Sequence, residues 1–341
     1  MSASRRMAGD ADAGAASDSG EEPRLETTFA VVVNWNGGAD DNLRCLGSLV
    51  AEGLAPERII FVDNGSTDGS LEAAAAAFPG LVRLENGENL GFGEASNRGA
   101  SLALERGASA VAFVNNDLWF VAGESALAGL VAALRGEARL GMVGPRVLFG
   151  PEEGSAGPDR VWCSGGRLDF RQNLSTLLGN GEVDGSPWNR SRDVDYIVGA
   201  ALVVRGQLME EVGLFEADYF AYMEDVEWGL RAREAGWGVR VIGELRAYHA
   251  PSSATGGGYG ARRKWMQALN SVRFMRQYGT ISRWARFALF DLATLPPLIA
   301  WRALKGDARP ALAKAKGLWD GFLGRKVTAE AIRPGTSRLW N

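Results

Sequence analysis

Sulfur and imidazole are scarce in this chain of 341 residues, which holds two cysteines, Cys45 and Cys163, and a single histidine, His249. Two cysteines make neither a disulfide framework nor a thiolate metal site, which points to a reducing compartment. A lone histidine is structural by default and gains meaning only if the fold brings it to a carboxylate. The pattern G-x-x-x-x-G-K-[ST] is missing, so P-loop nucleotide chemistry is disfavoured. Gly91 and Gly93 do not extend to G-x-G-x-x-G with an acidic residue about 20 positions on, so a dinucleotide dehydrogenase is disfavoured as well. The most apolar stretch, residues 284–301, is interrupted by Arg286, Asp291 and Pro296-Pro297, which argues against a spanning helix of about 20 residues. Residues 1–26 are rich in Ala, Gly, Ser and Asp with no apolar core, and are expected to form a disordered tail in place of a signal peptide.

What is present is a 46% hydrophobic content, enough for a sizeable core, with 45 glycines for tight loops. Charge is unevenly spread. Of the 37 Lys and Arg, 16 fall after residue 261, against 4 of the 41 Asp and Glu, so an acidic body carries a basic C-terminal section. Such a section is expected to meet something anionic.

Residues 110–120 (AVAFVNNDLWF) anchor the reading. An unbroken apolar run that stops at Asn115, Asn116 and Asp117 suits a strand buried on both faces of a parallel sheet. Ligands of open α/β sheets sit at the carboxyl ends of such strands. The pattern recurs. FAVVVNWN at 29–36 ends at Asn34 and Asn36, RIIFVD at 58–63 ends at Asp63, and a short strand at 81–85 leads to the loop of Asn89 and Gly91. Helical spacing intervenes each time, which predicts βαβ units and a mostly parallel sheet. Polar residues at successive strand ends predict a ligand crevice.

Further along, 140–149 and 196–204 read as strands, and 151–192 as a variable surface region. A helix is expected from about Asp225 to Gly236, with Glu224 and Asp225 in its first turn, where free N–H groups favour carboxylates. His249 ends a strand-like run, GVRVIGELRAYH.

Seven stretches carry a resemblance: VVVNWN (31–36), VDNGSTDGS (62–70), NLGFGEASNRG (89–99), VNND (114–117), VGAALVVR (198–205), MEDVEWGLRAREAGW (223–237) and YH (248–249). In this order and with these gaps the chain resembles the family-two glycosyltransferases with a GT-A fold, in particular their rhamnosyltransferase-like branch, over about residues 29–278.

The resemblance implies a Rossmann-like, mostly parallel sheet flanked by helices. Its catalytic domain would cover 27–260, with a nucleotide-sugar half at 27–150 and an acceptor half at 151–260, followed by a helical basic section at 261–341. It implies donor contacts at Asn34, Asn36, Asp63, Asn89, Gly91, Asn115 and Asn116, with Asp63 facing the base. Asp117 and His249 correspond to metal ligands for Mn²⁺ or Mg²⁺. Asp225 corresponds to the general base of an inverting transfer, expected to stay ionised at its helix N-terminus. Gly199, Ala200, Glu224 and Trp228 are expected near the acceptor and sugar. Asn115 stands where the family's Asp-x-Asp motif has its first acid, so this site carries one charge less.

The implied donor is a dTDP- or UDP-linked sugar such as rhamnose, and the implied acceptor a glycan or lipid-linked saccharide; no nucleic-acid partner is expected. The alternatives are a non-catalytic carbohydrate-binding protein or a sugar-nucleotide hydrolase on the same fold. A pyrophosphorylase would want a basic Gly-rich loop after the first strand, where this chain has the acidic NWNGGADD. The apolar 284–301 stretch, with Trp at each end and Arg283, Arg286, Arg302, Lys305 and Arg309 around it, predicts a helix lying in a membrane interface. Such a protein would be cytoplasmic and peripheral on the inner face of the membrane, with a helical subdomain packed on the core as the alternative.

Overall fold

The computed structural model describes residues 25–151, 157–171, 173–250, 260–333 and 335–340. Residues 1–24 of the expected tail, and most of the glycine-rich stretch after His249, lie outside the described residues.

The chain begins with strand-helix units. Strand β1 (Thr28–Asn34) leads to α1 (Ala39–Ala51), β2 (Ile59–Asp63) to α2 (Ser70–Ala77), and β3 (Val82–Glu85) to α3 (Phe92–Glu105), before β4 (Ala110–Asn115). β1 pairs in parallel with β2 and β4, and β2 with β3. β1, β2 and β4 are buried on both faces, whereas β3, at the edge of the sheet, is half exposed. Val32 and Val114 enter one apolar cluster and Val31 and Phe113 the other, which is why the sequence shows unbroken apolar runs.

After β5 (Leu118–Phe120), α4 (Ala126–Gly136) and β6 (Leu140–Phe149), the chain makes β7 (Val161–Cys163) and the β8 (Gly166–Leu168)–β9 (Ser175–Leu177) hairpin. It then forms β10 (Arg192–Asp193), β11 (Ala201–Arg205), α5 (Gly206–Val212), α6 (Glu224–Glu234) and β12 (Gly238–His249). The sheet order is β10-β12-β6-β11-β4-β1-β2-β3. β11 runs antiparallel between β4 and β6, so the sheet is mixed beyond its parallel N-terminal half. The strand expected over 196–204 is only Ala201–Arg205; the residues before it are a loop. That reversal carries residues 196–200 to the carboxyl end of β4, where the Asn115 N–H donates to the Ala200 carbonyl at 2.9 Å.

The C-terminal section is helical, as expected: α7 (Ala261–Tyr278), α8 (Ile281–Phe287), a π-helical turn (Ala288–Leu292), α9 (Leu295–Leu304), α10 (Arg309–Phe322) and α11 (Ala329–Ile332). α10 lies against α7 at Gly317 and Gly321. A methyl group at Gly317 would come within 2.2 Å of the Trp265 carbonyl, so only glycine allows this approach. Trp265 Nε1 donates to Asp320 at 2.8 Å across the same contact. Buried Asp291 in the π turn pairs with buried Lys314 of α10 at 2.6 Å and also accepts the Asn173 N–H at 3.1 Å. Pro296 and Pro297 fall in the first turn of α9, where a missing N–H costs nothing. No residue of α9 is buried, and Ile281 and Leu304, at the two ends of 281–304, are 93% and 89% exposed.

Candidate active site

A cavity of about 660 Å³ opens at the carboxyl ends of β4 and β12. Six residues singled out in the sequence line it: Asn115, Gly199, Ala200, Glu224, Asp225 and His249. Asp225 sits in the first turn of α6. Its Oδ2 accepts the Gly199 N–H at 3.1 Å and its Oδ1 the Val226 N–H at 2.8 Å. Burial raises its carboxyl above the ordinary range while these two donors oppose the rise. The helix terminus alone therefore does not keep it low, which corrects the simplest expectation. Burial, and then the charge of Asp225, pushes Glu224 up as well, and Glu224 Oε2 has no hydrogen-bond partner among the described residues. The backbone N–H groups of Gly199 and Val226 favour the anion of Asp225, whereas burial and the neighbouring Asp225 charge favour the protonated form of Glu224.

The loop before α6 is strained. Phe220, Tyr222 and Met223 all have positive φ, at 63°, 67° and 82°. Non-glycine residues adopt this conformation only where the surroundings enforce it. Enforcement comes from both sides. The Asn270 side-chain amide, fully buried in α7, lies 2.8–2.9 Å from the carbonyls of Tyr219, Ala221 and Tyr222. From α3, the Phe92 N–H donates to the Phe220 carbonyl at 2.6 Å. Gly91, with φ 86°, leaves the room this needs, since a Cβ there would lie 2.5 Å from that carbonyl oxygen.

Asp117 and His249 meet through sheet pairing. β5 pairs antiparallel with β12, with Leu118 opposite His249, and the Ala250 N–H donates to the Asp117 carbonyl. His249 Nε2 lies 3.1 Å from Asp117 Oδ1, and Trp162 stacks on the imidazole at 4.3 Å. Both atoms are buried and neither makes a hydrogen bond within the described residues. Two cis ligands of an octahedral ion at about 2.0–2.1 Å lie about 3 Å apart, so the pair suits a divalent cation. Among the described residues no third His, Cys, Asp or Glu joins the pair.

Asn34, Asn36, Asp63, Asn89, Gly91 and Asn116 do not line this cavity; they lie at the carboxyl ends of β1 to β4 and knit the loops there. Asn34 Nδ2 donates to Asp63 Oδ1 at 3.0 Å and to Ser70 at 2.8 Å, and its Oδ1 accepts from Asn116 at 3.2 Å. Asp63 Oδ2 accepts the N–H groups of Gly65 and Ser66, Asn36 Oδ1 that of Thr67, and Asn89 Oδ1 that of Gly91. Trp228 is not brought to the cavity. It is fully buried against Phe113 and Phe215, with Nε1 donating to the Gly213 carbonyl.

Sequence reasoning missed one wall. Trp162, Ser175, Thr176 and Asn180, from the stretch read as variable surface, line the cavity together with Arg263, Lys264 and Gln267 of α7. The helical apolar spacing at Trp265, Leu269, Val272 and Met275 was the available signal, since a face that must be buried brings its polar neighbours along.

Two family models match, Glycosyl transferase family 2 over residues 30–196 and Glycosyl transferase family group 2 over residues 176–313. The chain is 30% identical over 233 residues to the N-acetylglucosaminyl-diphospho-decaprenol L-rhamnosyltransferase of Mycobacterium tuberculosis, a match covering 62% of this chain and 73% of that one. Among solved structures it resembles GalNAc-T7 with UDP, GalNAc and Mn²⁺ (TM-score 0.51, 15% identity, 77% of this chain and 53% of that one). It also resembles the mannosyltransferase PcManGT of Pyrobaculum calidifontis with GDP-Man and Mn²⁺ (TM-score 0.50, 14% identity, 88% of each chain). The fold is thus GT-A. Ordered motifs, matching family models and a relative of this identity lead to one conclusion: the chain belongs to glycosyltransferase family 2, on its rhamnosyltransferase-like side, and is a sugar-transferring enzyme.

Proposed function

We propose that this enzyme transfers a deoxyhexose such as rhamnose, with inversion, from a dTDP- or UDP-linked donor to a lipid-linked saccharide. The observation that carries the proposal is one cavity that presents both the Asp225 carboxylate and His249, with Asp117 at its back. The rhamnosyltransferase relative, whose name specifies a diphospho-lipid acceptor, supports the choice of sugar and acceptor.

In this reading Asp225 takes the proton of the acceptor hydroxyl as its oxygen forms the bond to the anomeric carbon. The bond from that carbon to the nucleotide breaks in the same step, and the diphosphate leaves with the electron pair. A single base suffices for such a displacement. Gly199 N–H orients the carboxylate, and burial with the adjacent Asp225 charge favours the neutral form of Glu224, which would add no competing charge. Asp117 and His249 would hold Mn²⁺ or Mg²⁺, which supplies positive charge to the departing diphosphate. Asn34, Asn36, Asp63, Asn89, Gly91, Asn115 and Asn116 form the nucleotide and donor-sugar side, with Asp63 toward the base.

We also assign the 281–304 segment to the interface of the cytoplasmic membrane face. By length and composition it is the one stretch among the described residues able to cross a membrane. The Asp291–Lys314 pair ties its inner side to α10, which favours lying on a bilayer over spanning it. The test is a screen of nucleotide sugars for diphosphate release with and without a lipid-linked N-acetylglucosamine acceptor. Acceptor-dependent release from a deoxyhexose donor supports the reading. Release of free sugar without acceptor makes the protein a hydrolase.

A further inference from the structure

Resting on the metal reading above, we propose that Trp162 is a positioning residue for His249. Its indole sets the plane of the imidazole so that Nε2 faces Asp117 and a divalent cation held by the two. The rings lie 4.3 Å apart between centroids, with their planes 29° from parallel. Both residues line the cavity that holds Asp225.

The need for such a device follows from what His249 lacks. Its Nε2 is buried, as is Asp117 Oδ1, and neither atom makes a hydrogen bond among the described residues. Strand pairing fixes the backbone. His249 stands opposite Leu118 of β5 and Phe149 of β6, and its carbonyl accepts the Gly150 N–H at 2.8 Å. The turn of an imidazole about its Cβ–Cγ bond is broad, so a fixed backbone does not decide where Nε2 points. A stacked indole restricts that turn to the plane in which Nε2 meets Asp117 Oδ1 at 3.1 Å.

The backbone of β7 is shaped to present the indole. Cys163 stands opposite Val147 of β6 and Val161 opposite Leu148, so Trp162 is an extra residue with no opposite number. Bulges of this kind bend a strand, re-aim a side chain and are common beside active sites. Val161 and Cys163 are buried and anchor it. The Asn180 side-chain amide donates to the Trp162 carbonyl at 2.7 Å and ties down the bulged peptide. Trp162 itself stays half-buried, so core packing alone does not account for the bulge.

The chain's single histidine makes the test direct. With ¹³C-labelled histidine in the full chain, the imidazole C–H signals are read by NMR in chelator at alkaline pH. Mn²⁺ affinity in the presence of UDP is read separately, from the paramagnetic signal of the free ion. In wild type the imidazole signals should be displaced by the indole ring current. Trp162→Leu should return them to ordinary positions and weaken Mn²⁺ binding about tenfold or more, the effect of removing a partner that orients a metal-binding histidine. Trp162→Phe, which keeps a ring, should retain most of both. Undisplaced signals in wild type overturn the stack without any variant, so a Leu variant that fails to fold does not shelter the proposal. A wild type that binds no Mn²⁺ with UDP overturns the metal reading, and this inference with it. A wild type that binds Mn²⁺ no more tightly than Trp162→Leu overturns this inference alone and leaves Trp162 as a wall of the cavity.

Discussion

The side-chain amide of Asn270 lies 2.9 Å from the carbonyl oxygen of Tyr222, two residues ahead of the Glu224–Asp225 pair. A helix of the C-terminal section thereby holds the backbone that aims Asp225. Asn270→Ala strips a donor from three carbonyls and should cost about 1–3 kcal/mol of stability. Turnover should fall about tenfold or more, because loss of alignment weakens catalysis even where ligands still bind. Asn270→Asp should be worse, since a carboxylate would face three carbonyl oxygens. Melting and steady-state kinetics together check this; unchanged turnover in a destabilised Asn270→Ala would make the contact purely structural.

In the proposed mechanism Asp225→Asn removes the proton acceptor while keeping shape. Turnover should drop by about 10²–10⁴-fold with donor affinity nearly intact, measured by nucleotide binding alongside transfer. Because burial raises the Asp225 carboxyl, the acid limb of the wild-type pH profile should lie above the ordinary aspartate value of 3.8.

Glu224 makes a contrasting case. Its folded-state affinity for a proton exceeds that of the unfolded chain, so the native state binds more protons. The stability this gives is complete below the ordinary glutamate value of 4.5 and is lost as pH rises above it. Glu224→Gln, which mimics the protonated side chain, should flatten the fall in melting temperature between weakly acidic and neutral pH. It should retain most transfer activity, whereas Asp225→Asn should not. A pH-melting series on both variants decides the matter.

For the metal, Asp117→Ala and His249→Ala should each raise the Mn²⁺ concentration needed for half-maximal transfer. Each should also weaken Mn²⁺ binding in the presence of UDP, read by the paramagnetic signal of the free ion. Full wild-type activity in excess chelator would return His249 to a structural role.

At the membrane, the full chain should float with anionic vesicles at low salt and less at high salt, each basic residue contributing about 1 kcal/mol. Trp301→Asp with Leu304→Asp should abolish flotation without lowering the melting temperature, since both side chains are exposed. Removal of everything after Thr280 is a poor test, because it strips α10 from the close contact at Gly317 and Gly321.

Local pattern made much of this fold legible. The strands that end at Asn34, Asp63 and Asn115 announced themselves because burial on both faces leaves no polar alternation. The run to His249 was visible for its β-branched content, and α6 for its acidic first turn and basic last turn. Long-range pairing was not legible. Nothing in 196–204 says that β11 turns antiparallel and brings Gly199 to Asp225, a contact across 26 positions. Trp228 was placed by its motif neighbours, whereas its position on α6 points it into the core. Asn270 has no signal in the sequence, since its partners are backbone atoms of a distant loop and leave no trace in spacing.

The hydrogen bond from the Asn173 N–H to Asp291 also matters for anyone who would redesign acceptor choice by recombining relatives. One wall of the cavity comes from residues 162–180 and another from α7, and Asp291 clasps the first stretch to the helices that follow the second. A crossover placed between them would separate surfaces shaped to each other and strand Lys314 beside a mismatched carboxylate. Chimeras that exchange both stretches as one block should fold and carry the donor parent's acceptor preference; those that exchange either alone should lose both.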